Sequence, residues 1–271
     1  MAGAGFALPL TNQLSRTTPM KSLLKPLAIS WIYLSVATLA YAQSGSSASG
    51  SAGDKSVVGG GTNASRTDIY HVHVVHAASG KAAELGESFK TPPPGNPAPD
   101  HAVVFRHQFG DAWDYTVVAH YGTKYTVEAN RPQLPDNQRA LSDNHTDTIC
   151  NGPSWAEFSR LMGLDDSKKS AGAVYVVSFY RVSPGQREAA EKSLAEPPDP
   201  AVDKAAGTVL LQHLEGAAWN YMGMVRYNSW QDLATSEANT IPTTTKPNSP
   251  WSQMRQFVSN HTDTLCDRIL P

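Results

Sequence analysis

From Asp68 onward the apolar positions recur with two periods, one of two residues and one near 3.6, which predicts strands alternating with short helices. Ile69 to His76 is an unbroken Val- and His-rich run and predicts a strand. Gly80 then introduces Lys81 to Phe89, where Leu85 and Phe89 stand at i, i+4 on one helical face. Thr91 to Pro99 contains five prolines and predicts a surface loop. Ala102 to Phe109 and Trp113 to Tyr121 read as two further strands, joined at Gly110-Asp111 into a hairpin.

The same order then runs through again. Val174 to Arg181 matches the first strand, Pro184-Gly185 leads into a helix from Gln186 to Leu194, and Pro197 to Pro200 repeats the proline loop. Val209 to Glu215, Gly216, and Trp219 to Tyr227 repeat the hairpin. Tyr70 aligns with Tyr175 at an offset of 105, and His107 with His213, Gly110 with Gly216 and Trp113 with Trp219 at 106. Trp230 to Ala238 and Trp251 to about Asn260 predict helices, separated by a Thr- and Pro-rich loop from Thr240 to Pro250. A short strand, Cys266 to Leu270 in the second copy, is expected to close each repeat.

One motif fixes the register of the repetition. Asn144 to Cys150 (Asn-His-Thr-Asp-Thr-Ile-Cys) returns as Asn260 to Cys266 with Leu for Ile, at an offset of 116. The chain therefore reads as a tandem duplication in the α+β class, with one ferredoxin-like repeat over residues 68–170 and a second over 171–271. Each has the order β-α-β-β-α with a candidate last strand. Such a unit lays its helices on one sheet face and leaves the other to be covered, which two copies do for each other.

This order, with a Ser-Gly or Pro-Gly entry to the first helix and a Trp/Tyr hairpin after it, resembles the dimeric α/β-barrel superfamily of ferredoxin-like domains. That superfamily includes antibiotic-biosynthesis-monooxygenase-like and stress-responsive barrels. The resemblance implies a single-chain pseudo-dimeric α/β barrel. It leaves function open, because the superfamily contains cofactor-free monooxygenases, stress-response barrels and haem enzymes.

Composition changes the picture mainly at the N-terminus. Lys21 and Lys25 precede an apolar run from Leu27 to Leu39, and Ala40-Tyr41-Ala42 before Gln43 is a small-x-small cleavage pattern. Residues 1–42 thus read as an export signal, with 1–19 a candidate start-site extension before Met20, and the protein as periplasmic or secreted. The run is short of the roughly 20 residues of a membrane span, so no stable insertion is expected after cleavage; the alternative is an uncleaved anchor. Residues 43–67 are Gly, Ser and Ala with few large apolar side chains and read as a flexible linker. A formal charge of −2 gives no basic footprint, and nucleic acid is not an expected partner. A monomer or low-order homo-oligomer is expected.

Candidate chemistry rests on few residues. His107 and His213 share strand faces with apolar neighbours, which makes each either a buried general base or a hydrogen-bonded core residue, and as a repeated pair they are the expected polar lining of a pocket. Even spacing puts Trp113, Tyr115 and Tyr121 on one face, and likewise Trp219, Tyr221 and Tyr227; they line a small-molecule site or pack against helices. In the repeated motif, Asn144, His145, Asp147, Asn260, His261 and Asp263 fall where the last helix of each repeat is expected to end. There His and Asp at i, i+2 diverge, and the polar groups bond local backbone. On a strand they would share a face. Cys150 and Cys266, in an oxidising compartment, form a candidate disulfide if their Cα atoms come within about 7 Å.

No metal site is expected. His71 and His73 could chelate, but the second copy carries Val176 and Ser178 there. No cofactor is expected either; His261 is the obvious axial candidate for haem, and its twin His145 argues against a specialised role. There is no nucleophile elbow, P-loop, dinucleotide fingerprint, His-Glu-x-x-His or Cys-x-x-Cys. The leading expectation is an exported barrel that holds a small, partly apolar molecule between its sheets. The alternatives are a cofactor-free monooxygenase or isomerase using a buried His, and a structural or stress protein with no small ligand.

Overall fold

Alternation along the strands sets the architecture. The computed structural model describes residues 65–91, 101–123, 139–165 and 171–271. The export signal, all but the last three positions of the linker, and most of the first proline loop lie outside the described residues. In chain order the elements are β1 (Asp68–Ala77), α1 (Ala82–Lys90), β2 (Ala102–Phe109), β3 (Tyr115–Thr123), β4 (Ser142–Gly152), α2 (Trp155–Met162) and β5 (Val174–Val182). They continue with α3 (Arg187–Ala195), β6 (Gly207–Glu215), β7 (Tyr221–Tyr227), α4 (Trp230–Thr244), α5 (Pro250–Phe257) and β8 (Val258–Leu270).

Among the described residues the eight strands pair antiparallel and close on themselves in the order β1-β3-β2-β8-β5-β7-β6-β4. Within the ring, β4-β1-β3-β2 is followed by β8-β5-β7-β6, the same order in corresponding elements. The seams are β2 against β8, where His107 faces Cys266, and β4 against β6, where Cys150 faces His213. Closure leaves no free sheet edge.

Inward positions build the main core. Tyr70 and Val72 on β1 and Tyr175 and Val177 on β5 are fully buried there with Phe105, Leu211, Met222 and Met224. The sequence reading did not anticipate α2. Its buried residues Phe158, Leu161 and Met162 stand at helical spacing and join the same core, so the helix plugs one end of the barrel. The Ser154 side chain caps it by accepting from Glu157 N, and Gly163 ends it in a left-handed conformation. The Tyr70 hydroxyl donates to Pro153 O at 2.8 Å and the Tyr175 hydroxyl to Met162 O at 3.0 Å. The buried Arg226 donates through Nε to Leu161 O and through a terminal nitrogen to Ala206 O.

Several boundaries differ from the sequence reading. The repeated motif lies on strands, not at helix ends: β8 takes over from α5 at Val258 and runs to Leu270, so the closing strand is far longer than Cys266–Leu270. The alternation Thr-x-Thr-x-Cys is strand-like, but its polar members hid the apolar period on which strand assignment rests. α4 runs through Pro242 to Thr244 in place of the expected loop from Thr240. The proline falls in the last turn, and Thr235, Thr240 and Thr244 donate to carbonyls four residues back.

The two hairpins dock alike. Gly110 (φ 126°) and Gly216 (φ 122°) hold positive φ, and an added Cβ would stand 2.2 Å from Asp263 O and from Asp147 O respectively. Beside them, Asp111 N donates to Thr264 Oγ1 and Ala217 N to Thr148 Oγ1, both at 3.3 Å. Backbone strain and a backbone clash then combine. Gly110→Ala and Gly216→Ala are each expected to lower unfolding free energy by about 2–3 kcal/mol. Urea unfolding should give similar losses for the two; a loss at one site only would contradict equivalent docking.

Candidate functional site

The barrel end away from α2 is open. There a cavity of about 420 Å³ is lined by Trp113 and Trp219, by Val74 and Phe179 from the inward faces of β1 and β5, and by Asp111, Thr146, Arg181, Asn260 and Thr262, with Ala217 and Ala218 at one hairpin. Most of these residues form corresponding pairs: Trp113 with Trp219, Val74 with Phe179, Asp111 with Ala217, and Thr146 with Thr262.

Trp113 and Trp219 precede β3 and β7 and do not follow the strand pleat, so even spacing does not put them on one face with the tyrosines. Both turn toward the barrel interior. Tyr115 and Tyr221, two residues on, point outward: the Tyr115 hydroxyl donates to Ala82 O and the Tyr221 hydroxyl to Glu191, each at 2.7 Å. Glu191 is also held by Arg66. Tyr121 stacks on His71 on the outer face, and Tyr227 packs with Leu233 of α4. Four of the six expected lining aromatics therefore lie outside the cavity, and the two tryptophans line it.

His107 and His213 face inward but are not on the cavity wall. Each packs against a lining tryptophan, His107 with Trp113 at 5.9 Å and His213 with Trp219 at 5.6 Å between ring centroids. The Nε2 of each is buried with no hydrogen-bond partner among the described residues, as is Trp113 Nε1. Burial lowers the His213 pKa, nearby Arg187 adds to this, and a backbone hydrogen bond with Gly216 opposes it. The neutral imidazole is favoured.

Cys150 and Cys266 are free thiols, so the expected disulfide is not formed. They sit on β4 and β8, four places apart in an eight-strand ring, hence on opposite walls. Burial pushes both thiols well above the usual range, which makes them inert apolar fillers.

On β4 and β8 the motif alternates as a strand does. Thr148, Cys150, Thr264 and Cys266 are buried, while His145, Asp147 and Asp263 are more exposed. His145 Nε2 stands 3.5 Å from Asp147 Oδ2, and His261 Nε2 stands 3.4 Å from Asp263 Oδ2. The expectation that His and Asp diverge at helix ends is thus overturned by the strand period. Asp147 Oδ1 also lies 2.8 Å from both His71 Nε2 and His73 Nδ1, whereas Asp263 Oδ1 accepts from Ser178 Oγ at 2.6 Å. Among the described residues no group of three or more His, Cys, Asp or Glu side chains is disposed to hold a metal ion. His261 stacks with Tyr180 on β5 and lies on a strand rather than a helix. Asn144 is exposed on β4, and Asn260 reaches the cavity.

The His71 and His73 hydrogen bonds hold the Asp147 carboxyl well below the usual carboxylate range. A depressed acid pKa contributes stability that is present above about pH 4 and lost as pH falls further. Asp147 is half exposed, so the contribution is screened to less than about 1 kcal/mol. Asp147→Asn should lie slightly below the wild type in stability at pH 6 and converge with it near pH 2. Acid-dependent urea unfolding checks this, and a gap that widens on acidification would contradict it.

Sequence reasoning missed Val74, Asp111, Phe179 and Arg181. Nothing short of the barrel closure brings them together, although the pairing of Val74 with Phe179 follows from the 105-residue offset.

No protein-family model and no curated protein matches the chain. Among solved structures, the crystal structure of an anthrone oxidase-like protein superposes with a TM-score of 0.52 at 10% identity, over 75% of this chain and 92% of that one. A candidate monooxygenase from Lactobacillus acidophilus NCFM gives a TM-score of 0.43 at 7% identity, over 74% and 94% of the two chains. One from Fusobacterium nucleatum gives 0.45 at 10% identity, over 76% and 94%. The first of these shows a shared α+β fold, at an identity too low to carry function.

Proposed function

We propose that this protein is an exported, internally duplicated barrel that binds a small, partly apolar molecule in its end cavity, with Trp113 and Trp219 as the contact surfaces. The single observation that carries this reading is the cavity itself. It is open, it has the size of a small-molecule site, and matched residues of both halves wall it with aromatic bodies and a few polar groups. The duplication is supported by the repeated strand order, the repeated motif and the equivalent glycine docking of the hairpins. Export is supported by the sequence of residues 20–43.

Fluorescence titration with a neutral planar probe, 2-naphthamide, tests the reading. Saturable binding at one site per chain is expected. Absence of saturation up to millimolar probe would overturn it.

A second reading treats the cavity as the site of a cofactor-free oxygenase in which a neutral imidazole takes a proton from a bound phenol or enol and dioxygen is the oxidant. It is favoured by the unengaged Nε2 of His107 and His213 and is compatible with the anthrone oxidase-like structure. Both imidazoles sit behind a tryptophan, so the ring must move for either to reach substrate. Oxygen uptake that is unchanged in His107→Ala and His213→Ala would sink this reading and leave the binding one intact.

A further inference from the structure

We propose that the occupant of the end cavity carries a carboxylate head that seats on Arg181, with its apolar body between Trp113 and Trp219. This rests on the binding reading above and adds the chemical class of the ligand and its orientation.

Arg181 is the cation in a lining that is otherwise apolar or neutral apart from Asp111. Its Nε donates to Ala218 O at 2.9 Å, which fixes the guanidinium plane and leaves both Nη groups for an end-on contact with two carboxylate oxygens. Among the described residues Arg181 forms no ion pair, unlike Arg66, Arg106 and Arg160, whose charges are matched by Glu191, Asp267 and Glu157. Asn260 pairs with Arg181 across the β5–β8 ladder and lines the same cavity, so its amide can donate to the same head group. Asp111 opposes an anion, but its Oδ1 already accepts from Ala112 N at 2.8 Å. Its effect is to keep the head away from the β2–β3 hairpin.

The two halves differ at this position. The residue that corresponds to Arg181 at the 105-residue offset is His76, and its Nδ1 is taken up by Asp143 at 2.6 Å. A cavity walled by near-equivalent halves offers a ligand two opposed poses. A guanidinium on one side alone selects between them.

The test compares 2-naphthoate with its neutral carboxamide, 2-naphthamide, by fluorescence titration of the mature chain and of Arg181→Met and Arg181→Lys. The wild type should bind the carboxylate about tenfold or more tighter than the amide, with a preference that shrinks as salt rises. Arg181→Met should erase that preference by weakening the carboxylate far more than the amide, and Arg181→Lys should restore part of it. Equal Kd values for the two probes in the wild type, or a preference that survives in Arg181→Met, would overturn the carboxylate head and leave the cavity reading standing. Binding of neither probe would overturn both.

Discussion

Phe158→Ala is expected to lower the unfolding free energy by about 3–5 kcal/mol, the range for removing a fully buried phenylalanine. Phe158 has no exposed surface, and its ring stacks on Tyr70 at 5.2 Å and on Trp155 at 5.3 Å between centroids. It lies on α2, which connects the two groups of strands and fills the closed barrel end. Relaxation around the lost ring is limited. The β6 backbone at Gly207 already meets α2 so closely that an added Cβ would stand 1.9 Å from Leu161 O. Urea unfolding should show one transition at a lower midpoint with an unchanged slope, because the strands of both halves share this core. A loss below about 1 kcal/mol would contradict a plugging role for α2.

The second large effect concerns the open end. Trp113→Ala and Trp219→Ala should each weaken binding of 2-naphthamide by about 10–100-fold, as expected for aromatic anchors on a desolvated wall. The double variant should show no saturable binding. Tyr115→Phe and Tyr221→Phe serve as controls, since their hydroxyls bond Ala82 and Glu191 on the helix side of the sheet. Trp113 is itself part of the buried core, so its truncation also costs stability. Trp113→Phe separates the two effects by keeping a ring at the wall. If the Tyr→Phe changes weaken binding as much as the Trp→Ala changes, the cavity is in the wrong place.

Much of the fold was legible because it was stated twice. Gly110 and Gly216, with the hairpins around them, could be aligned by composition and offset alone, and a strand-helix-strand-strand unit leaves few ways to cover its second face. The closing strands were not legible. Asn144 to Cys150 is polar at nearly every position, since Thr148 faces inward to hold a hairpin amide and Asp147 faces outward to meet His71 and His73. Neither purpose leaves an apolar period of two. α2 follows β4, whereas no helix follows the corresponding strand β8, so no second copy marks it. For the site, residue type succeeded at Trp113 and Trp219 while strand parity failed, because both precede their strands and escape the pleat. His107 and His213 are expected from their apolar neighbours to line the pocket, and they are half-buried off its wall. Their position behind the tryptophans depends on tertiary packing that no spacing rule encodes. Arg181 carries no sequence signal; it becomes notable only once closure brings it to the cavity with no ion pair among the described residues.

Native mass spectrometry of the protein purified from its own host, with Trp113→Ala/Trp219→Ala purified in parallel, decides whether the end cavity is a binding site. The wild type is expected to retain one small organic molecule per chain, released on denaturation, and the folded double variant to retain none. Equal retention by both, or a wild type that carries no molecule and binds neither naphthyl probe, would contradict it.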